Sequence, residues 1–122
     1  MAWEVRKRLG GGMRQSGVLA AAGLHALEHH LPRIAEDHVH ARLLAERLAD
    51  CPAVRVETPE TNIVMIDLVR DTDSADAVIP RLAAAGLLVV PFGPRRLRAV
   101  THLDVGRPEI ERAAEIVRTE LG

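Results

Sequence analysis

Two short stretches hold the residues whose types and spacing can do chemistry. The first is Lys7-Arg8-Leu9-Gly10-Gly11-Gly12-Met13-Arg14, where three consecutive glycines are bracketed by a lysine and an arginine. Glycines free the backbone to adopt positive φ and to bare its N–H groups. The apolar run from Val18 to Leu31 reads as a helix, which places the glycines at or just before its N-terminus. N–H groups and the positive end of a helix dipole suit a phosphate or carboxylate there, and Lys7 and Arg14 add full charges. The spacing is neither a P-loop nor a GxGxxG pattern, and a flexible hinge with basic residues facing water accounts for the same composition. The second stretch is Arg98-Ala99-Val100-Thr101-His102-Leu103-Asp104-Val105. Arg98 falls on a strand between apolar neighbours, where a guanidinium needs an anionic partner or an edge position that reaches solvent. Guanidinium grips carboxylate through two parallel bonds, which lysine does not do.

Other reactive groups form no comparable pattern. The six histidines include His25 and His29 four apart and His38 and His40 two apart, with no HExxH or CxxC and a lone Cys51; no metal site is expected. No Ser/His/Asp set or carboxylate pair emerges either. A net charge of −1 gives no pull towards nucleic acid or an anionic membrane. Trp3 and Phe92 are the only aromatic residues among 122, too few for a base-stacking surface. The single cysteine excludes an internal disulfide, the N-terminus lacks a signal-peptide core, and no apolar run spans a bilayer. A soluble, cytoplasmic protein is expected.

The block Lys7 to Gly17, running into Val18-Leu19-Ala20-Ala21-Ala22-Gly23-Leu24, closely resembles the low-specificity L-threonine aldolases. These are pyridoxal-phosphate (PLP) enzymes of the aspartate-aminotransferase fold type, fold type I. Arg98 to Val105 resembles the same family's motif near its C-terminus, and Glu36-Asp37-His38 and Thr61-Asn62-Ile63-Val64 match in order. The likeness runs over essentially the whole chain. It implies the small C-terminal domain of that fold with its long linking helix. It implies that Arg98 binds the substrate carboxylate, and that Lys7, Gly10, Gly11, Gly12 and Arg14 approach PLP and substrate, largely from the neighbouring subunit of a dimer or tetramer. The reaction implied is retro-aldol cleavage of a β-hydroxy-α-amino acid, threonine or allo-threonine, to glycine and an aldehyde. The family's Schiff-base lysine lies upstream of the glycine loop, so no catalytic residue is expected in this chain, and little or no activity from it alone. A truncated gene product, one chain of a split PLP lyase, and a non-enzymatic remnant that dimerises and binds a small anion all accommodate that. His102 is expected to pack or hydrogen-bond near the site, and Asp104 to orient Arg98 or cap the last helix.

The elements that must position these residues follow from periodicity. Three segments are expected: a lead-in and glycine loop at 1–14, a long helix or bent helix pair at 15–50, and a small α+β domain at 51–122. Ala20, Leu24, Leu27 and Leu31 keep helical spacing, and without a covering domain this face predicts self-association. Pro32 marks a kink or a new start. Val39, Leu43, Leu44 and Leu48 are expected to face inward. Val54 to Val56 and Ile63 to Leu68 read as strands, and Asp71-Thr72-Asp73-Ser74 as a turn and helix cap. Ala75, Val78, Ile79 and Leu82 mark a helix that starts near Pro80 or kinks there. A hairpin of Leu87–Pro91 and Leu97–His102 about a Gly93-Pro94 turn comes next. Pro108 opens the last helix, with its stripe Ile110, Ala113, Ala114, Val117 and Leu121. This order gives an α+β domain with helices on one face of a small, mainly antiparallel sheet.

Overall fold

The computed structural model describes residues 1–70 and 72–122; Asp71, which opens the turn expected at 71–74, lies outside the described residues. The chain forms two compact units, Met1–Pro32 and Arg33–Gly122. The boundary falls at Pro32, the residue expected to kink the 15–50 segment or to start a new helix within it.

The first unit contains helix α1 (Ala2–Arg8) and helix α2 (Ser16–His25), which runs on into a π turn (Ala26–His30) and a 3₁₀ turn (Leu31–Arg33). No residue of these helices is buried. Val18, Leu19, Leu24, Leu27 and Leu31 all stand exposed, the last three at 59%, 61% and 54%.

In the second unit α3 (Ile34–Leu48) is followed by β1 (Val54–Val56), β2 (Ile63–Leu68), α4 (Ala75–Ala84), β3 (Val90–Gly93), β4 (Arg96–Val100) and α5 (Arg107–Leu121). The strands form one antiparallel sheet in the order β1-β2-β4-β3. Register sorts the sheet's faces. Val54 opposite Leu68, Ile66 opposite Leu97 and Val64 opposite Ala99 are all buried against the helices. Met65, Asp67, Arg96 and Arg98 share the other face. Leu48, Val78, Leu82, Val117 and Leu121 complete a core in which Thr101 is the buried polar residue among those described.

Several boundaries differ from the sequence expectation, each for a local reason. Val39 is exposed, because the buried stripe of α3 is Ala41, Leu44 and Leu48, and Val39 lies about 200° round the helix from Ala41. Helix α4 starts at Ala75, well before Pro80, because Ser74 caps it, its Oγ accepting from Ala77 N–H at 3.3 Å. Pro80 and Asp76, whose carbonyl loses its helical partner, are both exposed, so water reaches that oxygen. Leu87 belongs to the end of α4: Gly86, at φ 96°, donates to Ala83 O and Leu87 to Leu82 O, a Schellman cap. Strand β3 therefore begins at Val90, and the hairpin turn falls on Pro94 and Arg95. Strand β2 has one buried and one open face, unlike the fully buried run its composition suggests.

Candidate functional site

In the first unit the glycines terminate α1. Gly10, at φ 79°, donates to Lys7 O at 3.1 Å, and Gly11 N–H donates to Arg6 O at 2.8 Å. This is again a Schellman cap. Arg6 Nε closes the loop with a 2.6 Å bond to Gly11 O. A Cβ on Gly11 would come within 2.9 Å of Arg6 Cγ and 3.0 Å of Arg6 O, so a side chain there displaces the cap. The expectation that these glycines bare their N–H groups at the start of the next helix is corrected for Gly10 and Gly11, whose donors are taken up by α1. Helix α2 begins only at Ser16. Gly12 N–H keeps no partner among the described residues. Lys7 Nζ lies 5.5 Å and Arg6 Cζ 5.0 Å from the centroid of the Trp3 ring. Neither Lys7 nor Arg14 forms an ion pair with any described residue.

In the second unit three arginines of the β3–β4 hairpin meet different fates. Arg95 Nη2 donates to Leu68 O at 3.0 Å and Val69 O at 2.8 Å, tying the turn to the end of β2. Arg96 grips Asp67 through Nε at 2.5 Å and Nη2 at 2.7 Å, with Glu57 at 3.4 Å. Its hydrogen bonds hold the Asp67 carboxyl below the usual carboxylate range, and Asp67 in turn raises Arg96. Arg98 sits between Met65 of β2 and Val90 of β3. Its Nε is buried with no hydrogen-bond partner, and it makes no ion pair with a described residue. Its Cζ lies 5.9 Å from the centroid of the Phe92 ring.

The remaining motif residues converge on Thr101. Its Oγ1 donates to Asp37 O of α3 at 2.7 Å, its N–H donates to Asn62 O at 3.0 Å, and Asn62 Nδ2 donates to Thr101 O at 2.8 Å. Stretches drawn from 36–38, 61–64 and 98–105 thus meet in one hydrogen-bonded knot that anchors the end of β4. Asp104 takes neither expected role, because it faces His102, Oδ2 to Nδ1 at 3.7 Å. Helix α5 is instead capped at Gly106, whose N–H donates to Glu109 at 3.0 Å. His25 stacks on His29 at 4.2 Å, and among the described residues no cluster has the makings of a metal site. An apolar cavity of about 410 Å³ lies beside α5, lined by Leu87, Val105 and Ile110, and Arg98 does not line it. Sequence reasoning missed Phe92. The one signal in the sequence is scarcity, since Trp3 and Phe92 are the chain's only aromatic residues; that each has a cation near its ring is visible only in the structure.

Solved structures share this architecture. The ornithine aminotransferase of Plasmodium yoelii matches with a TM-score of 0.62 at 17% identity, over 78% of this chain and 26% of that one. The kynurenine aminotransferase of Pyrococcus horikoshii matches with a TM-score of 0.55 at 22% identity, over 79% and 27%. The fold is that of a portion of a fold type I, PLP-dependent enzyme. In sequence, the chain is 40% identical over 110 residues to the probable low-specificity L-threonine aldolase 2 of Arabidopsis thaliana, covering 88% of this chain and 31% of that protein. It is 39% identical over 109 residues to the low specificity L-threonine aldolase of Escherichia coli K12, covering 89% and 31%. A family profile described as beta-eliminating lyase matches residues 1–71. The chain belongs to the beta-eliminating lyase family, and it spans 31% of the length of these two curated relatives. The family implies pyridoxal phosphate in the complete enzyme. No helix among the described residues is long and apolar enough to cross a membrane.

Proposed function

We propose that this chain is the C-terminal portion of a cytoplasmic L-threonine aldolase, which cleaves threonine or allo-threonine to glycine and an aldehyde. The observation that carries this is Arg98. Of the hairpin's three arginines it alone combines a buried, unpartnered Nε with the motif position of a carboxylate-binding residue. Burying such a donor costs free energy unless a partner arrives, and a substrate carboxylate meets it in bidentate fashion. In the first unit, Lys7 and Arg14 lack acidic partners and Gly12 N–H lacks an acceptor among the described residues, a donor set that fits the phosphate of the family cofactor across a subunit interface. Bound pyridoxal phosphate supplies the electron sink for cleaving the Cα–Cβ bond. Arg98 orients the amino acid by its carboxylate, and Lys7 and Arg14 supply positive charge. Lys7 is the only lysine of the 122 residues, and it acts as a contact rather than as the covalent anchor. The chain alone is therefore inactive.

Two experiments test this. After incubation with pyridoxal phosphate and borohydride reduction, peptide mapping is expected to find no adduct, and a stoichiometric adduct on Lys7 overturns its assignment. The chain is also to be co-expressed with the portion of the Escherichia coli relative that it does not match. Threonine cleavage is expected to return, and Arg98→Ala to raise KM for threonine about 10- to 100-fold. An unchanged KM removes Arg98 from the substrate.

A further inference from the structure

Phe92, one of only two aromatic residues in the chain, is exposed at 58% on the edge strand β3. The strand is irregular there. Pro91 pairs with Leu97 and Gly93 with Arg96, so Phe92 is an additional residue with no counterpart on β4. A bulge of this kind bends the strand and re-aims one side chain. Here the re-aimed ring lies against the Arg98 guanidinium, 5.9 Å from centroid to Cζ. The charged groups at this sheet face are Arg55, Asp67 and Arg96, with Glu57 beside them, and they are taken up by one another: Arg96 by Asp67 and Glu57, Asp67 also by Arg55 at 4.0 Å. Among the described residues Arg98 therefore has no acid to set its orientation, and its neighbours across the strands are the apolar Met65 and Val90.

We propose that Phe92 is a positioning residue for Arg98. Its ring holds the guanidinium by a cation–π contact, so that Nε and the Nη edge stay turned towards an incoming carboxylate. This rests on the proposal that Arg98 binds the substrate carboxylate. The choice of a ring has a physical logic. An acidic partner would fix Arg98 equally well, but it would compete with the substrate for the same donors, as Asp67 does at Arg96. An aromatic face orients the cation and leaves every N–H free.

The test uses the 122-residue chain and the co-expressed enzyme together. In the ¹⁵N NMR spectrum of the chain, the Arg98 Nε–H resonance is expected to be displaced by the ring current of Phe92. Phe92→Leu abolishes that displacement, while backbone amides remote from β3 stay in place. The response of this resonance to sodium acetate weakens about two- to five-fold in Phe92→Leu and recovers in Phe92→Trp. In the co-expressed enzyme Phe92→Leu raises KM for threonine by the same factor with kcat little changed, and Phe92→Trp again restores it. If Arg98→Ala raises KM while Phe92→Leu moves neither the resonance nor KM, the positioning role is overturned and the carboxylate assignment stands. If acetate leaves the Arg98 Nε–H resonance of the wild-type chain in place and Arg98→Ala leaves KM unchanged, the carboxylate assignment fails and takes the positioning role with it.

Discussion

The two compact units use apolar residues in opposite ways. Helix α5 of the second unit keeps its apolar residues in one stripe, and Ile110, Ala113, Ala114, Val117 and Leu121 are all buried there. Helix α2 of the first unit, SGVLAAAGLH, is apolar around its whole circumference, and none of it is buried. A helix with one apolar stripe brings its own solvent face; one that is apolar all round is written for surroundings that other polypeptide must supply. The second unit is thus a domain with a core of its own, and the first is an element in need of cover. The self-association expected for Ala20, Leu24, Leu27 and Leu31 follows from the same difference.

The sharpest test of this contrast is a pair of truncations. Leu82→Ala, at a residue with no exposed surface, is expected to cost about 2–5 kcal/mol in urea denaturation. Leu27→Ala at low protein concentration is expected to stay within about 0.5 kcal/mol. Comparable losses would mean that the first unit has a packed interior, and the contrast would fall. A smaller effect probes the knot that joins α3, β2 and β4. Thr101→Val removes the hydroxyl bond to Asp37 O, a carbonyl inside helix α3 that keeps its helical partner, and is expected to cost about 0.5–1.5 kcal/mol, with Thr101→Ser recovering most of it; a neutral Thr101→Val would reduce the knot to a consequence of strand pairing. The smallest effect concerns Asp67. Its folded pKa is depressed by Arg96, so its contribution is fully present above the unfolded value of about 3.9 and is lost as pH falls through the lower folded value. Wild-type stability is expected to decline more steeply than that of Asp67→Asn below about pH 4. Parallel acid titrations would show that the Arg96 pair contributes nothing measurable.

Much of the second unit was legible from the sequence. The run Ile63–Leu68, the Ser74 cap, the α5 stripe and the antiparallel hairpin each follow from short-range pattern: alternation, a capping oxygen, helical spacing. The misplacements at Val39, Leu87 and the hairpin turn came from neighbouring residues whose patterns fit two elements equally well. Leu87 is apolar whether it starts a strand or closes a Schellman cap. The glycine loop posed the same ambiguity, since three glycines after α1 serve a helix C-terminus as readily as a following N-terminus.

The site divides along a similar line. The sequence by itself determined that Arg98 lies in a distinctive block on a strand, and that Lys7 and Arg14 flank a glycine run. Only the tertiary structure decided that Arg95 and Arg96 are engaged by carbonyls and an acid from β2 while Arg98 is not. It also decided that Phe92 reaches Arg98 across a bulge and that Thr101 joins three distant stretches. The reason is physical: whether a charge is available depends on its partners, and in a sheet those partners stand opposite in register rather than adjacent in sequence. Asp67 and Arg96 are 29 residues apart along the chain and 2.5 Å apart in space.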